Sequence, residues 1–269
     1  MRLLWAFFLR DLRIAASYRL QLFFQVAGVL SICVTFFFLS FMLRDVEAGI
    51  AELGKYGGSY FAFAILGIAV SSFVDLSLRS FSTSIRTAQM TGTFEAMLST
   101  RASVAAVVAG SSLYTLLFTA LRSALLVVLA GLLFGVPLHA SALPAVLLIV
   151  GLTVLATLAL GIFSAGFIVL FKQGDPLSNA ISGLTFLLGG VIYPKEIMPD
   201  WVQRIADLLP VTHALEAMRL ALLLGVPLSE LQRSVIGLSV FAAIGLPLAL
   251  LWFAWAVARA RVAGSLARY

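Results

Sequence analysis

What this chain has little of narrows its class. Charged residues make up 11% of its 269 residues, against about 25% in ordinary soluble domains. Its one cysteine, Cys33, sits in an apolar run, so neither a disulfide nor a multi-cysteine metal site can form within one chain. There are two histidines, His139 and His213, and three lysines, Lys55, Lys172 and Lys195. A phosphate-cradling loop needs a glycine-rich turn ending in Lys-Ser or Lys-Thr, and none of the three lysines has that context. The chain therefore does not hydrolyse ATP unaided. Short alternating strands are absent as well, which excludes a β-barrel.

What is there is apolar: 62% of residues are hydrophobic and the mean hydropathy is +1.08. The expected fold is an all-α polytopic membrane protein. Six spans can be drawn, over residues 22–43, 60–78, 104–134, 142–171, 177–192 and 235–258; the third and fourth are long enough to tilt or protrude. The net charge of +6 does not indicate nucleic-acid binding, because the basic residues lie at span ends. With the N-terminus in the cytoplasm, Arg2, Arg10, Arg13, Arg19, Arg79, Arg86, Arg101, Lys172, Arg259, Arg261 and Arg268 fall inside, against the acidic Asp11, Glu95 and Asp175. The outer side then holds Arg44, Lys55, Lys195, Arg204, Arg219 and Arg233 and most of the acidic residues. Positive-inside bias thus predicts N-in, C-in. The first span follows basic residues as a signal peptide would, but it is too long and lacks an A-x-A cleavage site, so it is expected to remain. No repeat or linker marks a second domain, and residues 1–269 read as one membrane domain.

The stretch from 187 to 227 departs from this plain pattern. It stops at Gly189-Gly190, passes Pro194, Pro199 and Pro210, and holds two apolar segments each too short to cross a bilayer. The first groups Trp201, Ile205, Leu208 and Leu209 on one helical face; the second, over 211–224, is apolar except for His213, Glu216 and Arg219. Backbone broken at membrane depth survives only where protein buries it or where it lines a cavity. Residues 194–225 are therefore expected to dip in and turn back as a re-entrant helix pair.

Two further segments carry short amphipathic helices. Over residues 1–20, Arg2, Arg10, Arg13 and Ser17 share one side, the pattern of a helix lying in the cytoplasmic interface, with simple precedence to the first span as the plainer reading. Over 91–101, Gly92 stands three residues before Glu95, much like a capping box, and Phe94, Met97 and Leu98 form an apolar face ahead of Arg101. A helix of two turns is marginal alone and needs a partner to sit in.

The loop MTGTFEAMLSTRAS (90–103) and the later GGVIYPKEIMPDWVQRIADLLPVTHALEAMRLALLLG (189–225) resemble the two signature regions of ABC-2 type transporter permeases. The resemblance extends over essentially the whole chain. It implies that Gly92, Thr93, Phe94, Glu95, Met97, Leu98 and Arg101 form the coupling helix that docks on an ATPase. It also implies two ATPase copies carrying ATP and magnesium, a second permease copy in a homodimer or heterodimer, and location in the cytoplasmic membrane. The cargo it implies is amphipathic or polymeric: a drug, a lipid or a lipid-linked polysaccharide. No cofactor, metal or catalytic residue is expected on this chain.

Charges within apolar segments are the candidate path or gate residues: Asp75, Arg79, Arg122, His213, Glu216 and Arg219. Asp75 and Arg79 are spaced i,i+4 amid serines, read either as a self-satisfied helix pair or as a polar face lining a route. Arg122 is a lone cation in the third span, where it costs at least roughly 2.5 kcal/mol unpaired, and Glu216 is its expected partner. Two rival classes stand beside export. An intramembrane enzyme would need a nucleophile setting or ligand cluster near His213, and only the His213/Glu216 pair offers itself. A channel or ion-driven transporter would favour several acidic residues in the spans, and only Asp75 is available.

Overall fold

The computed structural model describes residues 19–43, 51–90, 104–171 and 176–262. Among them the regular structure is helical, with no strand. In chain order the helices are α1 (Arg19–Met42), α2 (Tyr60–Met90), α3 (Val104–Phe134), α4 (Leu143–Phe171), α5 (Pro176–Leu188), α6 (Asp200–Ala206), α7 (Pro210–Leu224) and α8 (Gln232–Val262). Residues 1–18 of the expected interfacial helix lie outside the described residues, and so does the whole expected coupling helix with Gly92, Thr93, Phe94, Glu95, Met97, Leu98 and Arg101.

Five helices, α1, α2, α3, α4 and α8, are long and apolar enough to cross a membrane, and they coincide with the first four and the last of the expected spans. The segment expected at 177–192 differs. Its helix, α5, has 13 residues, about 20 Å at 1.5 Å per residue, which is short of a hydrocarbon core of roughly 30 Å. Glycine decides where it stops: the Gly189 N–H closes the last turn on the Thr185 carbonyl at 2.8 Å, and Gly190 then takes φ +76°, a conformation that costs glycine little. In the other direction α2 runs 31 residues to Met90, well beyond the apolar Tyr60–Ser80 stretch, on serines, threonines and Arg86.

Enclosure is unequal. In the apolar stretch of α2, 72% is buried, against 11% for the stretches of α1 and α3. Helix α2 is the centre of the bundle, packed between α3 and α4, with α8 against the far side of α4. Phe61, Ala62, Phe63, Ala64, Ile65 and Leu66 are all buried, so this helix is apolar on every side, as a fully enclosed helix must be. By contrast α1 and α3 expose Phe23, Phe24, Phe38, Leu121 and Leu132, for which lipid is a suitable solvent. Close helix approach depends on small residues. A Cβ on Gly161 of α4 would lie 2.6 Å from the Leu78 carbonyl oxygen of α2, the small-residue contact that lets backbones meet in membranes.

The short helices close one end. Pro210 starts α7 at its first turn, and Gly225 ends it in the left-handed conformation at φ 66°. Nearly all of α7 is buried, against α2, α4, α8 and the 3-10 turn Ala51–Tyr56. Helix α6 lies outside it. Val202 and Ala206 face inward, while Trp201, Ile205 and Leu208, three of the four residues of the apolar face read from the sequence, point outward and Leu209 is half-buried. The amphipathic pattern is real, but its apolar side is the one left uncovered among the described residues.

Candidate functional site

Arg219, in the middle of α7, is 3% exposed and forms a junction between three segments. Its Nη1 donates to the Gly190 carbonyl at 2.8 Å and its Nη2 to the Val191 carbonyl at 2.7 Å. Nε and Nη2 also donate to the Phe63 carbonyl of α2, at 3.2 and 3.1 Å. The guanidinium carbon lies 3.3 Å from the centre of the Phe63 ring, a cation–π contact made stronger by desolvation. Each contact ties α7 to the start of α2 or to the turn after α5. Gly67 makes this possible, since a Cβ there would sit 1.9 Å from the Val191 oxygen and 2.7 Å from Nη2 of Arg219.

Around that junction lies an ionic cluster. Lys55 donates to Glu216 at 2.8 Å and to Glu196 at 3.2 Å. Lys195 pairs with Asp207 at 2.6 Å and approaches Glu216 at 3.6 Å, and Arg233 reaches Asp207 at 3.5 Å. The Tyr56 hydroxyl donates to Glu196 at 3.4 Å. The cluster therefore joins the loop before α2, the turn before α6, α7 and the start of α8. His213 sits inside it, its Nε2–H donating to the Asp207 carbonyl at 3.0 Å. Its ring packs on Gly237 of α8, where a Cβ would come within 3.0 Å of it. That geometry packs His213 of α7 against α8.

The expected Arg122–Glu216 pair does not form. Glu216 is held by Lys55 and Lys195, and Arg122 has no ion-pair partner among the described residues. Depth explains the error. Phe134, at the end of α3, packs on Phe61 with ring centres 5.2 Å apart, so the two helix ends are level. Arg122 is twelve residues back along α3, about 18 Å, and its neighbour Ser123 donates to the Ala69 carbonyl of α2 at 3.0 Å. The two charges belong to different levels of the bundle.

Asp75 and Arg79 do pair, with Nε of Arg79 2.9 Å from both carboxylate oxygens. The pair is not closed on itself. Nη1 of Arg79 donates to the Asn179 side-chain oxygen at 2.5 Å, and the Ser182 hydroxyl donates to Asp75. A cleft of about 550 Å³ runs here between α2, α4 and α5, lined by both residues together with Ser71, Ser72 and Thr157. A second cleft, of about 270 Å³, lies between α1, α2 and α3 and takes in Asp75, Arg79 and Arg122. So the structure brings Asp75, Arg79 and Arg122 to one level and His213, Glu216 and Arg219 to another. Sequence reasoning missed Lys55, Lys195 and Asp207 as the partners of the second group. Their signal was present as three charges in loops flanking apolar helices, but the pairing needs the fold.

The ionic cluster has a pH signature. Burial works to raise the Asp207 carboxyl, but the hydrogen bond and charge of Lys195 and the charge of Arg233 outweigh it and hold the group below its ordinary 3.8. Its contribution to stability is then present above pH 3.8 and lost as pH falls through the lower folded value. Burial works to lower Lys55, but its bond to Glu216 outweighs that and raises it above 10.5. That contribution is present below pH 10.5 and lost as pH rises through the higher folded value. The thermal midpoint in detergent is expected to stay level between these limits and to fall outside both. Asp207→Asn should lower the midpoint at neutral pH and flatten the acid limb. An unchanged acid limb in that variant would contradict the assignment.

The model of the family described as ABC-2 type transporter matches residues 1–223. No curated protein matches the chain.

Proposed function

This chain belongs to the ABC-2 type transporter family, and from that premise we propose that it is the transmembrane permease subunit of an ATP-driven exporter in the cytoplasmic membrane. The family is a transmembrane transport component that works with an ATPase subunit, and this chain, with its several apolar helices, is a multi-pass membrane protein. ATP and magnesium are assigned to that separate ATPase in two copies, and a second copy of this chain completes the pathway. The cargo is an amphipathic or lipid-linked molecule: a drug, a lipid or a polysaccharide.

The observation that carries this reading is the family match over residues 1–223, which take in four of the five membrane-length helices. The length of α2 supports the coupling role of the loop that follows it. Thirty-one residues extend about 46 Å, more than a hydrocarbon core needs, so the Met90 end of α2 has length to spare beyond the bilayer. In this reading the N-terminus and that loop are cytoplasmic, α5 with the following turn makes a sixth crossing, and α6 and α7 form the re-entrant pair at the outer end. Asp75 and Arg79 then line the inner part of the path beside α5. Glu216, Arg219 and His213 hold the outer closure together.

Co-purification with an ATPase, followed by hydrolysis measurements on the complex, tests the proposal and separates it from the channel, secondary-transporter and enzyme readings. Phe94→Asp and Glu95→Ala are expected to return substrate-stimulated hydrolysis to the basal rate with the complex still folded, because an exposed apolar helix face marks a partner site. Normal stimulation in both variants would overturn the coupling assignment, and failure of any ATPase to associate would overturn the exporter.

A further inference from the structure

The cleft between α1, α2 and α3 shares Ile68, Ser72, Asp75 and Arg79 of α2 with the one beside α5, and its remaining walls come from α1, α2 and α3. It holds the one charged residue of α3's apolar stretch, Arg122, which is exposed and has neither ion pair nor side-chain hydrogen bond among the described residues. Its other polar walls are Ser72, Thr119 and Ser123; the rest, including Val29, Ile32 and Leu126, are apolar. Taken together Asp75, Arg79 and Arg122 leave one net positive charge, and two of the three are already neutralised by the Asp75–Arg79 bond. A fork of guanidinium donors without an acceptor is matched by a phosphate or carboxylate.

The level of the cleft indicates which. Arg79 is in the last turn of the apolar stretch Tyr60–Ser80, eighteen residues from Phe61, and Arg122 is twelve residues from Phe134, which is level with Phe61, so the two differ by about 9 Å along the axis. A long arginine side chain spans that depth by reaching toward the head-group level. Beyond the cleft α1 and α3 expose Val34, Phe38, Leu121 and Leu132, an apolar surface continuous with the bilayer. A soluble anion has no use for such walls, whereas acyl chains do.

We propose that this cleft binds the head-group phosphate of an anionic phospholipid through Arg122, with Arg79 behind it, and that the acyl chains lie along the exposed faces of α1 and α3. The single net positive charge selects a lipid with a net negative head group over a zwitterionic one, whose ammonium group would meet Arg122. The site depends on the chain lying in a membrane; it does not depend on the direction or energy source of transport.

The test uses the full chain purified in detergent and supplied with equal amounts of phosphatidylglycerol and phosphatidylcholine, with retained lipid read by mass spectrometry. Wild-type protein is expected to retain phosphatidylglycerol roughly five-fold over phosphatidylcholine, the selectivity of one basic residue for anionic lipid. Arg122→Gln should bring that ratio to about one, and Arg122→Lys should keep part of it. Ser72→Leu fills the cleft with Arg122 in place, so it should also abolish retention and decides the matter if Arg122→Gln does not fold. Undiminished selectivity in Ser72→Leu or in folded Arg122→Gln overturns the proposal. Complete displacement of the lipid by millimolar inorganic phosphate also overturns it, in favour of a small-anion site. So does a stoichiometric chain–chain cross-link from Arg122→Cys with no lipid retained, because a second copy then covers the cleft.

Discussion

Arg219→Leu is expected to lower the stability of the folded chain by about 2–6 kcal/mol, the sum for two buried carbonyls that lose their donor. Leucine fills part of the volume and removes every donor. The Gly190 and Val191 carbonyls are buried in a turn outside any helical ladder, and no other donor among the described residues reaches them. A buried acceptor left without a partner costs about 1–3 kcal/mol, so two such groups account for the figure. Arg219→Lys should recover only part of it, because a single ammonium cannot bond three carbonyls held by a planar fork. The measurement is thermal or denaturant unfolding in detergent. A midpoint for Arg219→Leu within error of the wild type would show that the junction is not a stabilising element.

Gly67→Ala should be nearly as damaging, for a different reason. The added methyl would lie 1.9 Å from the Val191 oxygen and 2.9 Å from its carbonyl carbon. Those are backbone atoms, so either the turn after α5 or the start of α2 must move, and the Arg219 bonds move with it. Overpacking of this kind costs typically 1–3 kcal/mol and occasionally more, enough to outweigh the roughly 1 kcal/mol that alanine gains over glycine inside a helix. Gly151→Ala is the matched control. That glycine is also helical, in α4, with nothing within 4 Å of the added atom, and the substitution should be neutral or slightly stabilising. Because Gly67 and Arg219 meet at the same oxygen, Gly67→Ala and Arg219→Leu should fall short of additive when combined. Equal effects of the alanine substitutions at 67 and 151, or full additivity of the pair, would contradict the contact.

The helices long and apolar enough to cross a membrane were legible because such a run leaves a local mark. Twenty or so consecutive apolar residues need no knowledge of their neighbours, and α1, α2, α3, α4 and α8 were readable on that ground. The shortening of α5 was also marked, by Gly189-Gly190, yet the apolar Val191 and Ile192 beyond it made the run look longer than the helix. The candidate site was legible only as a set of residue types. Asp75 and Arg79 pair as their i,i+4 spacing suggests, since both lie on one helix. Arg122 and Glu216 do not, since their pairing rested on charge and on a similar depth that the packed helices do not give them.

The apolar runs, the basic residues at their ends and the motif at 189–225 are properties of the chain read along its length, and they determined membrane class, the places of the long helices and family resemblance. Which charges meet is a property of helices read across their axes. Lys55 reaches Glu216 over 161 positions, and Arg219 reaches Phe63 over 156. Those contacts depend on a few degrees of helix rotation and on Gly67 letting one backbone approach another. A helix fixes the order of its side chains along the axis but leaves its rotation and depth to its neighbours, so only the packed bundle decided that Arg219 is enclosed and that Arg122 is left open.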